Sequence, residues 1–99
     1  FLMPSRVEPC GLNQLYAMAA GTVPVVHAVG GLADTVDDRG GVRFGHPTVD
    51  GLRWALHQAI ARYRYDSPAW HRTMVNGMRR SFSWRGPAEQ YLRLYQSLR

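Results

Sequence analysis

Pro4-Ser5-Arg6-Val7-Glu8-Pro9-Cys10-Gly11-Leu12-Asn13-Gln14-Leu15-Tyr16-Ala17-Met18, preceded by Phe1-Leu2-Met3 and followed by Gly21-Thr22-Val23-Pro24-Val25-Val26-His27, decides how this 99-residue chain folds. Phe1 to Pro4 reads as the end of a buried strand, Leu12 to Ala20 as a helix closed by Gly21, and Val23 to His27 as a second, β-branched strand. Strand, helix, strand in that order calls for a crossover between parallel strands. The carboxylate of Glu8 is then delivered by a short turn to the start of a helix, where unpaired backbone N–H groups and the positive end of the dipole suit a phosphate. A Glu beside an anion site, and not in it, suits a sugar or ribose hydroxyl. Phosphate with sugar hydroxyl is the ligand chemistry of a nucleotide sugar.

Working outward, Gly30-Gly31 marks a tight turn whose dihedrals other residues resist, and Gly41 to Phe44 reads as a short third strand. Ligands of open parallel sheets collect at the carboxyl ends of strands, and Glu8 and Gly30-Gly31 both follow such ends, so one crevice can hold both. The remainder reads as helical. Thr48 caps a helix whose apolar positions Val49, Leu52, Leu56, Ala59, Ile60 and Tyr63 follow the helical period, with Arg53, His57 and Arg64 off that stripe. Ser67 before Pro68 reads as the next cap, with Trp70, Met74 and Met78 on the buried side. Ser83 reads as the cap of a last helix, with Trp84, Ala88, Tyr91, Leu92, Tyr95 and Leu98 facing inward.

Composition narrows the class. With 45% apolar and 11% aromatic residues the chain is not a disordered sequence, and no apolar run approaches the roughly 20 residues of a membrane helix. All twelve basic residues are Arg and the net charge is +5, but the arginines are scattered and only Arg79-Arg80 are adjacent. They read as solvated helix faces and ion pairs, not as a nucleic-acid patch. One cysteine excludes an internal disulfide and a Cys-rich zinc cluster. His27, His46, His57 and His71 lack metal-ligand spacing, so no metal site is indicated.

The stretch Pro4 to Met18, then Gly21-Thr22-Val23-Pro24-Val25-Val26-His27-Ala28-Val29-Gly30-Gly31-Leu32 and Asp34-Thr35-Val36, resembles the C-terminal part of starch synthases and bacterial glycogen synthases. The similarity continues through Ser67-Pro68-Ala69-Trp70 and Gly77-Met78-Arg79-Arg80-Ser81-Phe82-Ser83-Trp84. Asn13 and the Val26 to Gly31 stretch look more like the plastid starch synthases. The resemblance implies an α/β fold: a partial Rossmann-like C-terminal domain of a two-domain GT-B glycosyltransferase, parallel strands followed by C-terminal helices. Residues 1–99 would form the C-terminal part of the nucleotide-sugar-binding domain, with the N-terminal domain upstream. The opening Phe1-Leu2-Met3-Pro4 fits a fragment, expected to be inactive alone. Asp37-Asp38-Arg39-Gly40 departs from the family pattern, because related synthases usually carry a longer insertion there.

By resemblance the complete protein transfers glucose with retention from ADP-glucose to the non-reducing end of an α-1,4-glucan. No cofactor, nucleic-acid partner or membrane is implied, and the location is a plastid, or the bacterial cytoplasm for a glycogen synthase. Other readings are a non-catalytic nucleotide- or glucan-binding module, or a related glucosyltransferase using UDP-glucose. The residues themselves leave Glu8 as either a loop carboxylate bonded to Arg6 or nearby amides, or a catalytic group. The resemblance selects the second, with Glu8 near the glucose 3-hydroxyl, stabilising positive charge at the anomeric carbon. Cys10 reads as a small buried residue, since no histidine is placed to activate its thiol. The resemblance gives the backbone of Cys10, Gly11 and Leu12 a binding role toward glucose hydroxyls or donor phosphate. Tyr16 stands eight positions after Glu8, where related retaining enzymes often carry a second Glu; it is either a nucleotide contact or a core aromatic. Gly30 and Gly31 either make a turn or offer amides near the nucleotide, as anion nests do.

Overall fold

The computed structural model describes residues 1–80 and 82–98; Ser81, within the stretch that carries the resemblance, and Arg99 lie outside the described residues. Three short strands, β1 (Leu2–Met3), β2 (Val25–His27) and β3 (Val42–Phe44), form one sheet in the order β1-β2-β3. Both pairings are parallel, with Leu2 opposite Val25 and Val25 opposite Val42. The crossover from β1 to β2 is α1 (Asn13–Ala19), and that from β2 to β3 is α2 (Gly30–Thr35). Three helices follow: α3 (Val49–Tyr65), α4 (Ser67–Arg79) and α5 (Arg85–Ser97).

Alternation along β2 divides the core between the two faces of the sheet. Val25 belongs to a cluster with Val23, Val42, Phe44, Ala55 and Ala59, lined by Leu52, Trp70 and Met74. Val26 belongs to the other, with Met18, Leu32 and Val36. Because β2 is covered on both faces, its residues can all be apolar or closely partnered, as buried parallel strands require. The strand register in turn fixes the loops after β1 and β2 at one edge of the sheet.

Several expectations need correction. Gly30-Gly31 does not make an isolated turn; it opens α2, with Gly30 at φ 51° before the chain coils. On α3 the buried residues are Ala55 and Ala59, while Val49, Ile60 and Tyr63 are exposed. The helix lies close on β2 and β3, and small side chains fill that contact, so the bulkier residues turn to its flanks. Thr48 does cap α3, its Oγ1 accepting from the Gly51 amide at 3.1 Å. α4 is capped by Asp66, not Ser67: Asp66 Oδ1 accepts from the Ala69 amide at 3.1 Å, which makes Ser67 the first helical residue. The fully buried positions of α4 are Thr73 and Gly77, with Trp70 and Met74 half-buried and Met78 exposed.

The largest departure concerns α5. Its N-cap is Trp84, and none of its residues is buried; Trp84, Ala88, Tyr91, Leu92, Tyr95 and Leu98 face outward. The radius of gyration, 15.7 Å, reflects the projecting helix; about 13 Å is usual for a compact domain of this length. The apolar stripe exists as the spacing indicated, but no described element covers it.

The two candidate caps of α4 give a direct test. Asp66→Ala should destabilise by about 1 kcal/mol, the usual worth of an N-cap, whereas Ser67→Ala should stay within about 0.5 kcal/mol of the parent. Denaturant midpoints of the intact protein compare the two; equal effects would contradict the assignment of Asp66.

Candidate functional site at the carboxyl edge of the sheet

The chain leaves β1 at Pro4 and turns through Ser5 to Leu12 before entering α1. His27, at the end of β2 and almost wholly buried, donates from Nδ1 to the Ser5 carbonyl at 2.6 Å, tying the start of this turn to the neighbouring strand. The His27 ring lies 5.6 Å from the ring of Phe44 on β3. Ser5 Oγ in turn donates to Glu8 Oε2 at 3.3 Å. Glu8 is half-buried and takes this hydroxyl as its partner, so the alternative of a Glu8–Arg6 ion pair is not what the described residues form.

The turn then meets the start of α2. The Gly31 amide donates to the Glu8 carbonyl at 2.8 Å. The approach is so close that a Cβ on Gly30 would overlap the Glu8 carbonyl oxygen, and one on Gly31 would overlap the Cys10 backbone. Glu8, Cys10, Gly30 and Gly31 are thus brought together, as one crevice required, but the amide of Gly31 is already occupied by protein. The two glycines act here as the surface against which the Glu8 turn is seated.

Gly11 has φ 73°, a conformation natural to glycine. α1 begins after it with Leu12 as N-cap, without a side-chain cap or an acid in the first turn. Among the described residues the amides of Cys10, Gly11 and Leu12 meet no acceptor. Cys10 is exposed, not buried, with Sγ directed to the Gly11 carbonyl at 3.6 Å. Tyr16 is 65% exposed, so it is no core aromatic among the described residues. Leu12 is also exposed. No group of three or more His, Cys, Asp or Glu among the described residues is placed to hold a metal ion.

Sequence reading missed Gln14, Thr35, Ser5 and the role of His27. Gln14 is fully buried, and its Nε2 donates to the Cys10 carbonyl at 3.0 Å, the Gly11 carbonyl at 2.9 Å and Thr35 Oγ1 at 3.1 Å. Thr35 Oγ1 passes the bond on to the Gly31 carbonyl at 2.7 Å. A signal for Gln14 was present: it shares a helix face with Ala17 and Met18, three and four positions on, and a polar group on such a buried face must find partners.

Residues 1–69 match the family model described as glycosyl transferases group 1. The chain belongs to the group 1 glycosyl transferases. This group 1 glycosyl transferase chain is 47% identical over 105 residues to starch synthase 1, chloroplastic/amyloplastic, of Triticum aestivum, covering 96% of the chain and 16% of that protein. It is 48% identical over 108 residues to the glycogen synthase of Nitrosospira multiformis, covering 99% and 22%. Among solved structures it superposes on the catalytic domain of starch synthase IV from Arabidopsis thaliana, bound to ADP and acarbose, with TM-score 0.85 and 36% identity over 98% of this chain and 22% of that one. Sucrose-phosphate synthase of Thermosynechococcus elongatus gives TM-score 0.75 at 33% identity, covering 98% and 24%. The chain thus spans about a fifth of the length of these proteins, and its parallel sheet with flanking helices is of the GT-B glycosyltransferase kind.

The seating of the Glu8 turn predicts how glycines of this glycosyl transferase tolerate a methyl group. In the complete protein, Gly31→Ala should destabilise by about 1–3 kcal/mol, the range for overpacking, and lower turnover with it. Gly45→Ala, with open space around it, should leave both near the parent. Thermal melts beside initial rates measure the contrast; an innocuous Gly31→Ala would mean that the loops are not held together through this contact.

Proposed function

We propose that this chain is the C-terminal part of the nucleotide-sugar-binding domain of a starch or glycogen synthase. The complete protein would transfer glucose, with retention, from ADP-glucose to the non-reducing end of an α-1,4-glucan. The observation that carries the reading is the seat of Glu8, a half-buried carboxylate held by Ser5 at the carboxyl edge of a parallel sheet, beside a turn with unpartnered amides. The similarity to starch and glycogen synthases, one solved with ADP and acarbose, supports the choice of donor and acceptor. Asn13 and the Val26 to Gly31 stretch favour a plastid starch synthase over the bacterial cytoplasmic enzyme.

In this reading the amides of Cys10, Gly11 and Leu12 bind the donor's phosphate or glucose hydroxyls. Glu8 faces the transferred sugar. Departure of the diphosphate makes the anomeric carbon oxocarbenium-like, and a fixed carboxylate nearby stabilises that charge without reorganising during the reaction. Tyr16, exposed on the outer face of α1, offers a hydroxyl toward the nucleotide, and Gly30 and Gly31 shape the floor beneath it. The acceptor and most diphosphate contacts come from the rest of the protein.

Two measurements test this. In the complete enzyme Glu8→Gln should lower kcat about 100-fold or more, as loss of one preorganised electrostatic contact does, while ADP affinity stays within a few-fold. A defect accounted for wholly by weaker ADP binding would make Glu8 a nucleotide ligand instead. Residues 1–99 alone, incubated with labelled ADP-glucose and a glucan primer, should incorporate no label above background, and incorporation would overturn the division of the site between this chain and the remainder.

A further inference from the structure

The buried amide of Gln14 closes a ring of hydrogen bonds around the Glu8 turn. From Nε2 it runs to the Cys10 and Gly11 carbonyls and to Thr35 Oγ1, from Thr35 to the Gly31 carbonyl, and from the Gly31 amide back to the Glu8 carbonyl. Its chemistry permits one orientation. Reversal would set the amide oxygen against two carbonyl oxygens, which can only accept, so Nε2 faces the turn and Oε1 is left as a buried oxygen without a partner among the described residues. Such an orphan acceptor ordinarily costs about 1–3 kcal/mol. A leucine would remove that orphan but leave the Cys10 and Gly11 carbonyls and Thr35 Oγ1 without this donor, so the use of the amide lies in holding the turn.

Gln14 and Glu8 also border the same glycine. A Cβ on Gly11 would stand 2.9 Å from Gln14 Oε1 and 3.3 Å from Glu8 Cδ, so the amide and the carboxyl group crowd the same bare Cα. We propose that Gln14, relayed by Thr35, is the positioning residue that holds the Glu8 carboxylate and the 10–11 turn in their working geometry. This rests on the reading of Glu8 given above. Gln14 itself touches no substrate: it fixes two carbonyls, which turns the corresponding peptide planes and aims their amides outward, and through Thr35 it fixes the α2 end on which Glu8 is seated.

Gln14→Leu in the complete enzyme should lower kcat about 10- to 100-fold, the scale of a small misplacement at a reacting centre, and raise KM for ADP-glucose as well, because the amides of the turn it holds face the donor. Thr35→Val should show a milder loss of the same kind, and Thr35→Ser should restore most of it. The deciding readout is the double-mutant cycle with Glu8→Gln. If Gln14 acts on the chemical step through Glu8, Gln14→Leu should cost less than about threefold in kcat in the Glu8→Gln background. An equal loss in both backgrounds, or a lowered melting temperature with kcat unchanged, overturns the proposal. Should Gln14→Leu fail to accumulate as folded protein, Thr35→Val against Thr35→Ser in the two backgrounds puts the same question. Near-parental turnover of Glu8→Gln would remove both the reading of Glu8 and this proposal; a large Glu8→Gln defect beside an additive Gln14→Leu loss would remove this proposal alone.

Discussion

Two stretches of backbone touch where neither carries a Cβ in the way: the start of α2 at Gly30-Gly31 and the turn from Glu8 to Cys10. Parallel pairing brings the ends of β1 and β2 to one edge of the sheet, but pairing alone would leave their loops to wander. The contact removes that freedom by placing peptide against peptide, with one amide to carbonyl bond and no side chain between. Side-chain bonds then complete the hold on the turn. Ser5 is anchored to β2 by His27, and Glu8 by Ser5, so the carboxylate is reached from the sheet by bonds at both ends of the turn.

In the proposed reading of Glu8, rigidity of this kind has a chemical use. A carboxylate free to rotate meets developing positive charge only after it has been ordered, and that ordering adds to the barrier. Backbone bonds made during folding supply the order beforehand. The site places many of its constraints in the peptide groups of residues 8–11 and 31, so a side chain of the turn can change where its backbone bonds are kept. Cys10 illustrates the point: its exposed thiol has little to do locally, whereas its carbonyl is held by Gln14.

The order of the strands and the first crossover helix were legible in the sequence because alternation between β-branched runs and a helix stopped by Gly21 is a local pattern. So was the cap at Thr48, whose partner is three residues away. α2 was not, because a six-residue helix opening with two glycines carries the composition of a turn. The neighbourhood of Glu8 and the glycines followed from topology, while the ring through Gln14 and Thr35 did not, since its members are 21 residues apart and each alone looks like an ordinary polar residue. Periodicity correctly marked a stripe on α5. It carried no information about what lies opposite.

That uncovered helix has a consequence for how the molecule behaves over time. α5 has 13 residues and runs about 20 Å at the usual helical rise, and an isolated helix of this length is near the balance point between coil and helix in water. With no described residue burying its Tyr and Leu side chains, its order is linked to contact with another surface and not to the sheet. Slow amide exchange across 85–97 would then report occupancy of that face, while β2 and α1 keep their own protection. Within one short chain, two neighbouring segments would respond to different equilibria.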